Sequence, residues 1–265
     1  DQLAPNAGDA GREERRAEIA QRKSAWLQML SSLDHEEDDP GTVWNENARK
    51  REPDHMSPRQ AWRAIQAGLP EDAIISTDIG NNCAIGNAYP TFEEGRKYLA
   101  PGMFGPCGYG FPAIIGAKIG CPDTPVVGFA GDGAFGISMN EMTSIGREEW
   151  PAITMVIFRN YQWGAEKRNT TLWFHDNFVG TELNTGLSYA KVAEGCGLQG
   201  VTVATQEDLT AALQKAVANQ AEGKTTFIEV ILNQELGEPF RRDAMKEPVQ
   251  VAGIDPADMR DQMPA

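Results

Sequence analysis

An aspartate and an asparagine, each closing an apolar run, are the residues of this chain best suited to chemistry. The run Pro125-Val126-Val127-Gly128-Phe129-Ala130 stops at Gly131-Asp132-Gly133, and the run Ile153-Thr154-Met155-Val156-Ile157-Phe158-Arg159 stops at Asn160-Tyr161-Gln162. A carboxylate and an amide offer hard oxygen ligands, which suit Mg²⁺ carrying a phosphorylated group. The glycines beside Asp132 let backbone N–H groups approach the phosphate. That chemistry requires a fold in which the two residues become neighbours.

Between the runs, Phe135, Ile137, Met139, Met142 and Ile145 recur at roughly helical spacing, which predicts a helix over 135–148. Strand, helix and strand make a βαβ unit, with parallel strands whose carboxyl ends share one edge of the sheet. Ligands of open α/β sheets bind at that edge. Gly-Asp-Gly is also a common turn, so a non-catalytic nucleotide-binding module of the same topology is an alternative reading. The haloacid-dehalogenase-like pattern, in which an Asn-Asp pair follows Gly-Asp-Gly, does not fit, because Ala134-Phe135-Gly136 follows here.

The surrounding elements extend this unit. Residues 12–33 are dense in helix formers, with Ile19, Trp26, Leu27, Leu30 and Leu33 as a face that packs on a neighbour. Residues 34–41 are acidic and end in Pro-Gly, which predicts a solvated loop, and 44–54 read as linker. A domain starts near Met56, where Ser57-Pro58-Arg59-Gln60 places Ser at N-cap, Pro at N1 and Gln at N3 of a helix. A strand over 73–77, a turn at Asp78-Ile79-Gly80, and helices over 82–88 and 108–119 follow. Beyond the second run come a polar-aromatic loop (164–185), a helix (187–195), a strand (200–204), a helix (206–222) and a last strand (225–232). Alternating strands and helices predict an α/β fold, a parallel sheet covered on both faces. The expected organisation is 1–55 as the end of a preceding domain and linker, 56–233 as the sheet domain, and 234–265 as an extended tail able to wrap another subunit.

Composition narrows the function. The chain has 265 residues, enough for a full-sized core, and 24 basic against 38 acidic residues give a net charge of −14. No basic stripe points to nucleic acid. Cys83, Cys107, Cys121 and Cys196 form no close ligand pairs and read as reduced thiols of a cytoplasmic protein. His35, His55 and His175 lie far apart, against a His-based zinc site. No run approaches the ~20 apolar residues that span a bilayer, so no membrane partner is expected. The chain opens at Asp1 in a polar stretch, which suggests a piece of something longer.

The spacing from Gly131-Asp132-Gly133 to Asn160 resembles the signature of thiamine-diphosphate enzymes. The resemblance implies Mg²⁺ held by Asp132, Asn160 and the backbone carbonyl of Gln162, with diphosphate oxygens and water completing the shell. Further segments, from about Met56 to Leu232, resemble the acetolactate-synthase-like branch. They imply that Gly80, Asn81 and Asn82 meet the diphosphate. Gly105-Pro106-Cys107-Gly108-Tyr109-Gly110 would place Cys107 where relatives carry a larger residue that bends the cofactor. Gly133 and Ala134 would offer backbone N–H groups.

Residues 158–169 and 177–183 resemble an acetyltransferase subgroup that converts sulfoacetaldehyde and phosphate into acetyl phosphate and sulfite during taurine degradation. Acetolactate synthase and sulfopyruvate decarboxylase are the alternatives within the family. Arg168, and after it Lys167 and Arg159, are the candidates to hold the sulfonate or phosphate. The activating glutamate of the family belongs to an N-terminal domain of a neighbouring subunit. The resemblance therefore implies a longer chain, assembled as a homodimer or homotetramer, and an inactive isolated fragment.

Overall fold

A computed structural model of the chain describes residues 9–32, 54–92, 97–147, 149–174 and 177–236. It divides into two compact units, Asp1–Pro40 and Gly41–Ala265. Within the first unit, α1 (Asp9–Ser32) matches the predicted helix, beginning a little earlier. Ile19, Trp26 and Leu27 are exposed and Leu30 is buried. Leu33, the acidic loop, most of the linker, His35, His175 and the tail beyond Leu236 lie outside the described residues.

The second unit opens with α2 (Pro58–Gly68), started by the box that the sequence predicts. Ser57 Oγ accepts from the Gln60 N–H at 3.2 Å, and Gln60 Oε1 accepts from the Ser57 N–H at 2.8 Å. A parallel sheet follows, made of β1 (Ile74–Thr77), β2 (Tyr98–Leu99), β3 (Val126–Gly131), β4 (Thr154–Arg159), β5 (Gln199–Val203) and β6 (Thr226–Ile231), in the order β2-β1-β3-β4-β6-β5. β4 is buried along its whole length, as a strand covered on both faces must be. The two-residue β2 is too short to leave a pattern in sequence.

Helices cover both faces. On one, α2, α3 (Asn81–Gly86) and α9 (Gln206–Gln220) bring Trp62, Ile65, Ile85, Leu209 and Leu213 against Phe129, Val156, Phe158 and Val230. The Trp62 ring lies 4.8 Å from Phe129 and 5.3 Å from Phe158, centroid to centroid. On the other, α4 (Gly110–Gly120), α5 (Asp132–Ser138), α6 (Met142–Ile145) and α8 (Tyr189–Gly195) bring Phe111, Phe135, Met142 and Tyr189 against Met155, Ile157 and Phe227. β1 feeds α3 on the first face and β3 feeds α5 on the second. Their shared border is therefore the point where strand order reverses, the place where such sheets hold ligands.

Two predicted elements differ. The helix expected over 135–148 is broken into α5, a 3₁₀ turn at Met139–Glu141, and α6. Gly133 and Gly136 weaken the first piece, and Ser138 leaves helical backbone angles with φ −111° and ψ 5°. The loop expected over 164–185 begins with a helix, α7 (Gly164–Trp173), whose polar residues carry little amphipathic pattern.

Gly86 shows how tightly the first face is packed. A Cβ there would stand 2.1 Å from Trp62 Cζ2. Gly86→Ala must therefore displace a fully buried indole, and should destabilise the full-length protein by about 1–3 kcal/mol in urea denaturation. Unchanged stability would contradict this packing.

Candidate functional site

Register builds the site. Gly131 of β3 pairs with Phe158 of β4, so Asp132 comes level with Arg159, and Asn160 lies one residue further out. Asp132 is also the first residue of α5, where backbone N–H groups have no carbonyl partner within the helix. From the other side of the strand-order reversal, the turn after β1 contributes Gly80, Asn81 and Asn82. Gly80 has φ +125°, which glycine adopts without strain.

A cavity of about 170 Å³ lies between these loops. All nine residues expected at the diphosphate end line it: Gly80, Asn81, Asn82, Cys107, Asp132, Gly133, Ala134, Asn160 and Gln162. Trp163 and Glu166, to which sequence reasoning assigned no ligand role, line it too. Gly133 is required by Trp163, since a Cβ would come within 2.8 Å of the indole.

Asp132 is buried, and its oxygens are unequally occupied. Oδ2 accepts from Arg159 Nη1 at 3.1 Å and from the Tyr161 N–H at 2.7 Å, while among the described residues Oδ1 accepts only from the Gly133 N–H at 3.0 Å. Burial pushes its carboxyl up to about 6, against the lowering pull of Arg159 and the backbone donors. Tyr161 takes φ +59°, a left-handed conformation uncommon outside glycine. It sits between Asn160 and Gln162 and turns both toward the cavity. Trp163 N–H donates to the Thr181 carbonyl and Leu183 N–H to the Tyr161 carbonyl, each at 2.8 Å, around an antiparallel bridge between Gln162 and Glu182. In that pattern the carbonyl of Gln162 points away from Glu182.

Several polar atoms of the cavity lack partners. Asn81 Nδ2, Asn82 Oδ1 and Gln162 Oε1 are buried without a hydrogen bond. Such atoms cost free energy unless a ligand satisfies them. An unshared Asp132 lone pair, the Asn160 amide and an outward carbonyl form an all-oxygen donor set that suits Mg²⁺. Among the described residues no cluster of three His, Cys, Asp or Glu offers an alternative metal site. The four cysteines are free, and burial, with smaller contributions from Asp78 and Glu166, pushes the Cys107 thiol up, so it acts as an uncharged wall.

The three expected cations lie outside the cavity lining. Arg159 is 1% exposed and runs behind the site, with Nε 3.5 Å from Glu229 Oε1. Its Nη2 donates to the carbonyls of Asn184 and, at 3.0 Å, Leu187. Lys167, fully buried, pairs with Glu182 and stands 5.5 Å from the Phe178 ring centroid. Arg168 donates to the Leu236 carbonyl at 2.9 Å and touches the cavity through Asn81 Oδ1 at 3.4 Å.

Sequence reasoning gave Asp78 no role in the site, yet it organises the glycine-rich wall. Its Oδ1 accepts from the Ile79 N–H at 2.8 Å and the Gly108 N–H at 3.0 Å, and its Oδ2 from the Gly110 N–H at 2.7 Å. Burial raises its carboxyl, and these backbone donors oppose the rise. Gly110 has no room for a side chain, because a Cβ would meet the Phe129 carbonyl oxygen at 2.8 Å. An acidic residue at a strand end, with Gly80 two positions on, was the signal available.

Fold and cavity define a cofactor-binding α/β domain, and comparison with known proteins says which. Residues 78–230 match the family described as "Thiamine pyrophosphate enzyme, C-terminal TPP binding domain", and the chain belongs to it. It is 81% identical over 98% of its length to the "Probable sulfoacetaldehyde acetyltransferase" of Rhizobium meliloti (strain 1021), of which it covers 44%. It is 73% identical over 98% of its length to the "Sulfoacetaldehyde acetyltransferase" of Roseovarius nubinhibens, of which it covers 43%. The chain thus spans less than half the length of these curated relatives. Among solved structures, the Rhodococcus jostii RHA1 thiamine diphosphate-dependent 4-hydroxybenzoylformate decarboxylase superposes with a TM-score of 0.61 at 28% identity, over 68% of this chain and 33% of that one.

Asp78→Ala removes the acceptor of three backbone N–H groups. Each one left unpaired in the interior should cost about 1–3 kcal/mol. In the full-length protein, denaturation should show that loss, and thiamine diphosphate should bind roughly tenfold more weakly as the glycine-rich wall slackens. Parent-like stability and affinity would contradict the bracing role.

Proposed function

We propose that the chain is the diphosphate-binding portion of a thiamine-diphosphate- and Mg²⁺-dependent acetyltransferase, which converts sulfoacetaldehyde and phosphate into acetyl phosphate and sulfite. The observation that carries this reading is the 81% identity over 98% of the chain to a relative named for that reaction. The cavity supports its cofactor part, because the expected residues converge there with unsatisfied polar atoms. We read residues 56–233 as the cofactor domain of a longer, cytoplasmic, homo-oligomeric protein acting in taurine degradation.

Asp132, Asn160 and the carbonyl of Gln162 would hold the metal, and through it the diphosphate. Asn81 Nδ2 would donate to a diphosphate oxygen, and Asn82 would do so after half a turn of its amide. The N–H groups of Gly133 and Ala134 would meet the same anion at the start of α5. Cys107 and Trp163 would wall off water with apolar surface. When bound, thiamine diphosphate supplies a carbanion able to add to a carbonyl and to store the resulting charge. Arg168 reaches the cavity wall through Asn81.

The full-length protein should form acetyl phosphate and sulfite from sulfoacetaldehyde and phosphate, in a manner dependent on both Mg²⁺ and the cofactor. Carbon dioxide release from a 2-oxo acid, with no acetyl phosphate, would replace this reading with a decarboxylase or acetolactate synthase. Asp132→Ala should weaken Mg²⁺-dependent cofactor binding, measured by calorimetry, by more than about a hundredfold, since groups merely behind a ligand are worth 10–100-fold. Unchanged binding would remove Asp132 from the metal site.

A further inference from the structure

Arg159 is a fully buried cation one position from a proposed metal ligand. It does not line the cavity; both Nη atoms are hydrogen-bonded, while Nε makes an ion-pair contact without a hydrogen bond. One arm meets Asp132, Nε faces Glu229, and Nη2 meets two loop carbonyls. Its planar end also lies 4.3 Å from the Tyr161 ring centroid and 5.2 Å from that of Tyr189. Glu229, itself buried, collects Ser188 Oγ at 2.6 Å, the Tyr189 N–H at 3.2 Å and Thr202 Oγ1 at 3.2 Å. Arg159 is therefore anchored at its far end and presses on Asp132 and Tyr161 at its near end.

We propose that Arg159 is a positioning residue that restricts Asp132 to coordinating a metal through one oxygen, and thereby selects Mg²⁺ over larger cations such as Ca²⁺. An ionised carboxylate offers about two acceptor sites on each oxygen. Arg159 and Tyr161 take both on Oδ2, and Gly133 takes one on Oδ1, so one direction on Oδ1 stays open. Mg²⁺ is served by such a monodentate oxygen in a small octahedral shell. Ca²⁺ prefers more ligands and often takes a carboxylate through both oxygens. The Arg159–Tyr161 stack adds a second restraint, since it supports the left-handed turn that presents Asn160 and Gln162 together. Lysine cannot reproduce this, because a single ammonium reaches neither all four acceptors nor two rings at once.

The inference rests on the Mg²⁺–thiamine diphosphate reading, and the test separates the two. In the full-length protein with saturating thiamine diphosphate, Mg²⁺ and Ca²⁺ are titrated separately by calorimetry. Parent protein that binds neither metal with the cofactor refutes the cofactor reading, and this inference with it. If the parent binds, Arg159→Lys should weaken Mg²⁺ roughly tenfold. Freeing Oδ2 should leave Ca²⁺ within about threefold of the parent, so the Mg²⁺/Ca²⁺ preference collapses. An equal loss for both metals, as general loosening would give, or no change in either, overturns the proposal. Should Arg159→Lys fail to fold, Tyr161→Leu keeps every hydrogen bond of the guanidinium and removes one of its two rings. It should lower the same ratio at least about threefold, and an unchanged ratio would overturn the proposal equally.

Discussion

The pairing of Gly131 with Phe158 sets the geometry of the site and of everything that braces it. That register delivers a carboxylate, an amide and a guanidinium to one edge of the sheet, and shared strand parity turns Arg159 toward Glu229 on β6. The result is two carboxylates around one guanidinium, all but excluded from water. Burial of these charges is costly, and removing one member of such a group commonly destabilises a protein by about 3–5 kcal/mol. The expense is tolerable because almost every acceptor has a donor. The exception is the Asp132 lone pair that faces the cavity, where a net negative charge remains to attract a cation.

A second constraint keeps the edge in place. The chain leaving β6 crosses the loop after β4 and ties it down. Gln162 Nε2 donates to the Gln234 carbonyl at 3.1 Å, Gln234 Nε2 donates to the Asn160 carbonyl at 3.3 Å, and Arg168 reaches Leu236. Glu235, buried, faces Arg59 of α2 at 3.5 Å. Asn160 and Gln162 are thus held from the Asp132 side by Arg159 and Tyr161, and from the opposite side by residues 233–236. This is support of the kind a binding site needs if its geometry is to exist before the ligand arrives.

The legible part of this molecule was whatever repeats or punctuates. Val126-Val127 and Met155-Val156-Ile157 announced buried strands, Ser57-Pro58-Arg59-Gln60 a helix start, and glycines beside Asp78 and Asp132 the phosphate-facing turns. Residues brought into the cavity by strand ends could be read, because a parallel βαβ unit leaves few alternatives for where its carboxyl ends go. Side-chain direction was not legible. Arg159, Lys167 and Arg168 carry the charge that an anionic substrate calls for, but burial and partners from β6, the 177–187 loop and residues 233–236 settle where they point. Those partners are distant in sequence and show no period. The same limit hid Asp78, whose three backbone donors exist only once the glycine-rich wall has folded around it. Helix α7 escaped because Gly164, Asn169, Thr170 and Thr171 are residue types that also favour loops and turns.

By this reading the sheet edge presents one open oxygen of Asp132, with Asn160 and the Gln162 carbonyl, as a preformed cation site. A crystal structure of the full-length protein with thiamine diphosphate and Mn²⁺ in place of Mg²⁺ tests it most directly, because anomalous scattering locates the metal independently of the atomic model built around it. One metal peak is expected at about 2.1–2.2 Å from Asp132 Oδ1, the Asn160 amide oxygen and the Gln162 carbonyl, with Oδ2 still held by Arg159 and Tyr161. A metal bound through both oxygens of Asp132, or lying away from these residues, would contradict it.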